Sequence, residues 1–107
     1  MISVIVNREG NLIRAIYANG HAGYAEAGED IVCAGVSALV LNAINSVEAL
    51  TDARFTCEMK EEDGFVSFEL VDTDDKDANL LLQSLCLGVN SIQETYNDYI
   101  QVTIREV

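Results

Sequence analysis

Apolar residues recur along this chain with two periods. Ile2, Val4 and Val6 alternate with other positions, the period of a strand with one buried face. Arg8-Glu9-Gly10-Asn11 reads as a turn, and Leu12 to Ala18 as a second strand with Ile13, Ala15 and Tyr17 on one face. Gly20 to Asp30 holds three glycines and no periodicity, so it reads as a loop. Over residues 31–50 the pattern changes. Ile31, Val32, Val36, Leu39, Val40, Leu41, Ile44 and Val47 cover nearly all faces of a helix, which predicts a largely buried one with Asp30 as its N-cap. Phe55, Cys57 and Met59 alternate again. Asp63-Gly64 predicts a two-residue hairpin turn, and Phe65 to Val71 returns with Val66, Phe68 and Leu70 on one face. A second helix is predicted from near Asp74, with Asp74, Asp75 and Asp77 in its first turn. Its apolar positions are Ala78, Leu81, Leu82, Leu85, Val89, Ile92 and Tyr96. Ile100, Val102 and Ile104 alternate in a last strand.

The order is ββαββαβ, which predicts an α+β fold with a mainly antiparallel sheet packed with two helices. The 107 residues make one domain, 1–107, without linker, repeat or low-complexity tract. Proline is absent, so Gly, Asn and Asp supply the punctuation.

Charge narrows the function classes. Six basic residues stand against eighteen acidic ones, for a formal charge of −12. Phosphate backbones and anionic lipid surfaces repel such a chain, which argues against direct nucleic-acid or membrane partners. A basic partner is attracted. The start, MISVIVNREG, lacks the features of a signal peptide. The apolar stretch Ile31 to Ile44 is interrupted by Ser37 and Asn42 and is expected to be a core helix, too short for a bilayer span. Three cysteines show neither a disulfide framework nor zinc-ligand spacing, so a cytoplasmic protein with reduced thiols, no metal and no cofactor is expected.

Two residues carry candidate chemistry. His21 is the one histidine and lies in the glycine-rich loop. Cys33 is at position N3 of the first helix if Asp30 is its cap. There the helix dipole and free N–H groups favour a thiolate, and an imidazolium beside it would do so further. Such a pair is the working unit of a cysteine nucleophile. The same residues have a plainer reading. A cysteine in an apolar run is usually a small buried hydrophobe, and a histidine at a strand end is usually solvated. Asp30 also opposes a thiolate by its charge, and as a cap it uses N–H groups that an oxyanion would need. From spacing alone both readings stand.

The stretch from Gly20-His21-Ala22-Gly23-Tyr24 through Asp30-Ile31-Val32-Cys33-Ala34-Gly35-Val36-Ser37-Ala38-Leu39 resembles the signature of the bacterial ribosomal-processing cysteine protease (Prp) family. That pattern is a GHA start, a glycine-containing loop, an acidic residue before I/L-V-C-A, and a small A-G-V/I-S/T-A run. Length and element order are also similar. The resemblance implies a thiol protease that removes an N-terminal extension from large-subunit ribosomal protein twenty-seven, cutting after a pair of aromatic residues. It implies His21 and Cys33 as the catalytic dyad, a homodimer, and a mobile loop that acts as a lid.

Around that dyad, Gly20, Asp30, Ala34 and Ser37 are candidates for supporting, orienting or oxyanion roles. Backbone N–H groups at the helix start and near Gly20 are the candidate donors. Gly23, Tyr24 and Gly28 are candidate lid residues, Tyr24 against apolar substrate side chains. Each has a structural alternative: capping for Asp30, a bond back to the helix for Ser37, ordinary loop flexibility for the glycines, packing on its own loop for Tyr24. Cys57 and Cys86 read as core or near-core thiols, and the acidic runs 58–63 and 72–77 as a solvated hairpin tip and a helix start. The alternative function is a non-enzymatic, chaperone-like ribosome-assembly module that holds a basic ribosomal protein on its acidic surface.

Overall fold

Ile2, Val4 and Val6 are each at most 4% exposed and define the inner face of strand β1, Ile2–Glu9. The computed structural model describes residues 1–26 and 28–107; Ala27, within the loop motif, lies outside the described residues. Strand β2, Leu12–Asn19, follows after only Gly10-Asn11, so Arg8 and Glu9 belong to the strand and not to a turn. Gly10 takes φ +61°, as a tight hairpin of this length requires. The pairing slips between Asn7, opposite Ala15, and Arg8, opposite Ile13. Arg14 is therefore an extra residue, a bulge that shifts the alternation of β2. Ile13, Ile16 and Ala18 join the core while Tyr17 faces the other side, which corrects the face predicted from strict alternation.

Strands β3, Phe55–Lys60, and β4, Phe65–Leu70, form the second hairpin. Their link is a four-residue one rather than Asp63-Gly64 alone. A 3-10 turn, Glu61–Asp63, is closed by the Gly64 N–H donating to the Glu61 carbonyl at 3.1 Å. The sheet order is β3-β4-β2-β1-β5, where β5 is Ile100–Glu106. All neighbours are antiparallel except β1 and β5, which pair from Ile2 opposite Ile100 to Arg8 opposite Glu106. Because β3 is an edge strand, only its first residue, Phe55, packs on the core, and Cys57 is exposed rather than near-core. Cys86 is half-buried, as expected.

Helix α1, Ile31–Leu50, has twenty residues, which by length and apolar character is enough to cross a bilayer. Its bounds are those predicted, 31–50, and the apolar stretch Ile31 to Ile44 read from the sequence is only part of it. Its packing supplies the better explanation of its composition, since Val32, Val36, Val40, Ala43, Ile44 and Val47 are buried in the core. Ala34, Ser37, Ala38, Leu41 and Asn45 are exposed, so the helix is buried on one side rather than all round. Helix α2, Lys76–Thr95, starts two residues after Asp74, near which it was predicted, with Asp75 as the cap and its carboxylate accepting from the Ala78 N–H at 2.9 Å. Ala78, Leu82, Leu85 and Val89 are buried beneath it. Small residues bring the two helices together: a Cβ on Gly35 would meet Ile92, and one on Gly88 would come within 2.8 Å of Leu39. Asn79 is buried at 2% exposure and bonds across to the bulge, accepting from the Ile13 N–H at 2.7 Å and donating to the Thr73 carbonyl at 3.0 Å.

Candidate active site

The end of β2 and the start of α1 are joined by the loop from Gly20 to Asp30, and the loop is tied down at Asp30. One carboxylate oxygen of Asp30 accepts from the Val32 and Cys33 N–H groups, both at 3.0 Å. The other accepts from the Tyr24 N–H at 3.0 Å and the Ala25 N–H at 3.4 Å. One side chain thus caps α1 and folds the loop back over it. The Cys33 N–H, with the Ala25 and Tyr24 N–H groups, holds the Asp30 carboxyl below its ordinary value. These contacts favour the capping role of Asp30, and its four partners among the described residues are backbone donors, not His21.

Cys33 is half-buried on the first turn of α1. Its sulfur accepts from the Ala22 N–H at 3.2 Å. That single contact draws the loop's first residues over the thiol. His21 precedes Ala22 and is exposed, and its Nε2 stands 3.3 Å from the Glu62 carbonyl oxygen. Gly20 takes φ +96°, and a Cβ there would meet the Met1 carbonyl oxygen, so the chain can enter the loop by this route only with glycine.

Two cavities meet at this point. One, of about 360 Å³, is lined by His21, Cys33, Gly20 and Ser37 at its polar end. Its walls are mostly apolar, from Ile2, Ala18, Val36, Val40, Leu41, Met59, Phe65 and Val66, with Glu61 and Gly64 beside them. The other, of about 400 Å³, lies under the loop and is lined by Gly23, Ala25, Gly28, Asp30 and Ala34 together with His21, Cys33 and Ser37. His21, Cys33 and Ser37 therefore border both. An extended peptide crossing Cys33 would place one side in an apolar groove and the other among small residues.

The remaining sequence candidates fall out as follows. Ala34 lines the second cavity, but its N–H is already donated to the Asp30 carbonyl at 3.0 Å. With the Val32 and Cys33 N–H groups also taken, the helix start offers no free donor among these three, which moves the oxyanion candidates to the Gly20 side. Gly23 and Gly28, at φ +71° and +87°, line the second cavity. Tyr24 lines neither cavity. Its ring packs edge-on against Tyr96 and Tyr99, at centroid distances of 5.5 and 5.1 Å. Cys57 and Cys86 border neither cavity, and burial pushes both thiols up. Sequence reasoning missed the hairpin residues Met59, Glu61, Glu62 and Gly64 as neighbours of His21. The glycine after an acidic turn was the only signal, and it read as an ordinary hairpin.

Comparison with known proteins bears on this geometry. The family model described as cysteine protease Prp matches residues 1–101. The ribosomal processing cysteine protease Prp of Staphylococcus aureus (strain Mu50) is 34% identical over 104 residues, covering 97% of each chain. Its counterpart in Bacillus subtilis (strain 168) is 35% identical over 88 residues, covering 78% of this chain and 79% of the other. The crystal structure of the S. aureus protease with a covalently linked product peptide superposes with a TM-score of 0.94 at 31% identity, covering 98% of this chain and all of that one.

Proposed function

The chain belongs to the Prp family of ribosomal processing cysteine proteases, and from that premise we propose that His21 and Cys33 are its catalytic dyad. We propose further that its substrate is the N-terminal extension of large-subunit ribosomal protein twenty-seven. The observation that carries the assignment is the position of His21 and Cys33 where two open cavities meet, with the Ala22 N–H held on the sulfur. Membership in a protease family also removes the need for a purely binding role.

In this reading His21 takes the thiol proton, and the sulfur attacks the scissile carbonyl carbon as thiolate. The C–N bond breaks as the imidazolium gives its proton to the leaving amine. A thioester between Cys33 and the extension remains. His21 then takes a proton from water, the hydroxide adds to the thioester carbonyl, and the C–S bond breaks to free the extension and regenerate the pair. The developing oxyanion is assigned to backbone donors on the Gly20 side, since those of Val32, Cys33 and Ala34 serve Asp30 and that of Ala22 serves the sulfur.

The apolar groove supports a large apolar side chain before the cut, which suits the aromatic pair the family resemblance implies. The cavity of small residues beneath the loop suits the departing chain. The charge of −12 suits a basic ribosomal protein met free in the cytoplasm, before RNA neutralises it. A homodimer is part of the same reading. The test is to incubate the protein with extended ribosomal protein twenty-seven and weigh the products. A single cut after the aromatic pair, absent with Cys33→Ala and His21→Ala, supports the proposal. Cleavage that survives Cys33→Ala refutes the dyad, and an intact substrate with wild-type protein refutes the substrate.

A further inference from the structure

The contact between His21 Nε2 and the Glu62 carbonyl joins residues forty-one apart in the chain. Glu62 lies in the 3-10 turn between β3 and β4, outside the loop and helix that carry the dyad. A backbone carbonyl only accepts hydrogen bonds. The 3.3 Å approach is a bond when Nε2 carries the proton. In that state Nδ1 is the ring nitrogen left to exchange a proton with the Cys33 sulfur.

Several features set the turn at this distance. The Gly64 N–H closes it on the Glu61 carbonyl. Gly64 takes φ +60°, and a Cβ there would overlap the Gly20 carbonyl oxygen and lie 3.2 Å from His21 Cε1. The turn therefore touches the backbone immediately before His21 and leaves room for nothing larger than glycine. Both partners also hang from one rigid support. Lys60 pairs with Phe65 at the foot of the turn, and Val66 pairs with Ala18, two residues before Gly20.

We propose that the Glu62 main-chain carbonyl is the third member of this site. It directs the His21 ring so that Nδ1 serves the sulfur, and it stabilises the imidazolium as it forms. Glu62 acts through its carbonyl and Gly64 through its lack of a side chain, so both are positioning residues and neither touches substrate. The proposal rests on the His21–Cys33 reading. Charged side chains share the surroundings: Asp30 borders the cavity under the loop, Glu61 borders the apolar groove, and Glu62 and Asp63 complete the turn.

Gly64→Ala is expected to lower kcat, but it also strains the turn, so the deciding variant replaces one backbone N–H by oxygen. Residues 1–56, recombinant and labelled with ¹⁵N in the single histidine, are ligated at Cys57 to synthetic 57–107. In the synthetic part an ester replaces the Glu62–Asp63 amide. The ester makes the Glu62 carbonyl a weaker acceptor and alters no side chain; it also removes the Asp63 N–H from the turn, so the ring resonances and not kcat alone decide. Folded ester and all-amide proteins are compared on one peptide. The expected result is kcat reduced about tenfold with KM within about twofold, and a displaced Nε2 resonance. A kcat within about twofold of the all-amide protein, a loss confined to KM, or a loss of kcat with unmoved ring resonances overturns the proposal. Cys33→Ala runs beside them. If it retains turnover, the dyad reading itself fails; if it is inactive while the ester is fully active, only the role of the carbonyl fails.

Discussion

The Ala22 N–H points at the Cys33 sulfur from 3.2 Å, across the loop that separates the two residues in sequence. A donor held there stabilises negative charge on sulfur and fixes where the preceding residue, His21, stands. Cys33→Ser keeps an acceptor at that position but replaces a good nucleophile with a poor one. Turnover is expected to fall by about 1,000-fold or more, with the thermal midpoint moved by less than about 2 °C. Peptide cleavage followed by mass, beside a thermal melt, checks both.

Asp30 gives the acid limit of the fold. Its carboxyl is held below the ordinary value, chiefly by the Cys33 N–H. Ionised Asp30 therefore stabilises the folded chain above its unfolded value, about 3.9, and that contribution disappears as pH falls through the lower folded value. Asp72, held down by the Arg54 guanidinium, acts in the same direction. Asp30→Asn should flatten the acid-side fall of the thermal midpoint below about pH 4 and leave the Asp72 part in place. A curve parallel to wild type would show that the Asp30 bonds contribute no proton-linked stability.

Tyr24 holds the loop from outside the cavities. Its edge-on contacts with Tyr96 and Tyr99 tie the loop tip to the end of α2 and the approach to β5. Each such pair contributes on the order of 1 kcal/mol, less here because Tyr24 is 42% exposed. Tyr24→Ala should speed amide exchange in the loop by about fivefold and change KM with it, while Tyr24→Phe leaves both near wild type. Equal exchange in wild type and Tyr24→Ala would remove the aromatic contacts as a restraint.

Much of this was legible in the chain. Ile2, Val4 and Val6, and the run after Asp30, follow from period and capping alone, and so do the element order and the juxtaposition of loop and helix start. What failed were details set by particular tertiary contacts. The Arg14 bulge moved Ile16 and Ala18 inward because Asn79, on another element, holds the backbone of Ile13. The Asp63-Gly64 signal was real, but the turn grew to four residues and seats against Gly20 and His21. Main-chain groups such as the Glu62 carbonyl carry no signature in residue identity at all.

The apolar groove predicts a preference that peptides can measure. Burying a phenylalanine ring between Val40, Met59 and Phe65 should favour it over alanine before the cut by roughly 100-fold in kcat/KM. Met59→Glu, a charge on the groove's rim, should erase most of that difference. A flat preference across side chains would mean the groove does not receive the residue before the cut.

If the substrate is the basic ribosomal protein proposed above, electrostatic steering by the net charge of −12 makes its cleavage sensitive to salt. The second-order rate should fall by about tenfold between about 0.05 and 0.5 M salt, whereas a short neutral peptide should be cut at a nearly constant rate. Equal salt curves for the two substrates would confine the charge to solubility.

The most direct measurement is a rapid acid quench of wild-type protein with extended substrate, followed by intact mass and peptide mapping. If His21 and Cys33 form the nucleophilic pair, a transient adduct with the mass of the extension appears on Cys33. It should be absent from Cys57 and Cys86, and should disappear as free extension accumulates. Product that forms with no adduct on Cys33, or that forms equally in Cys33→Ala, would contradict the assignment.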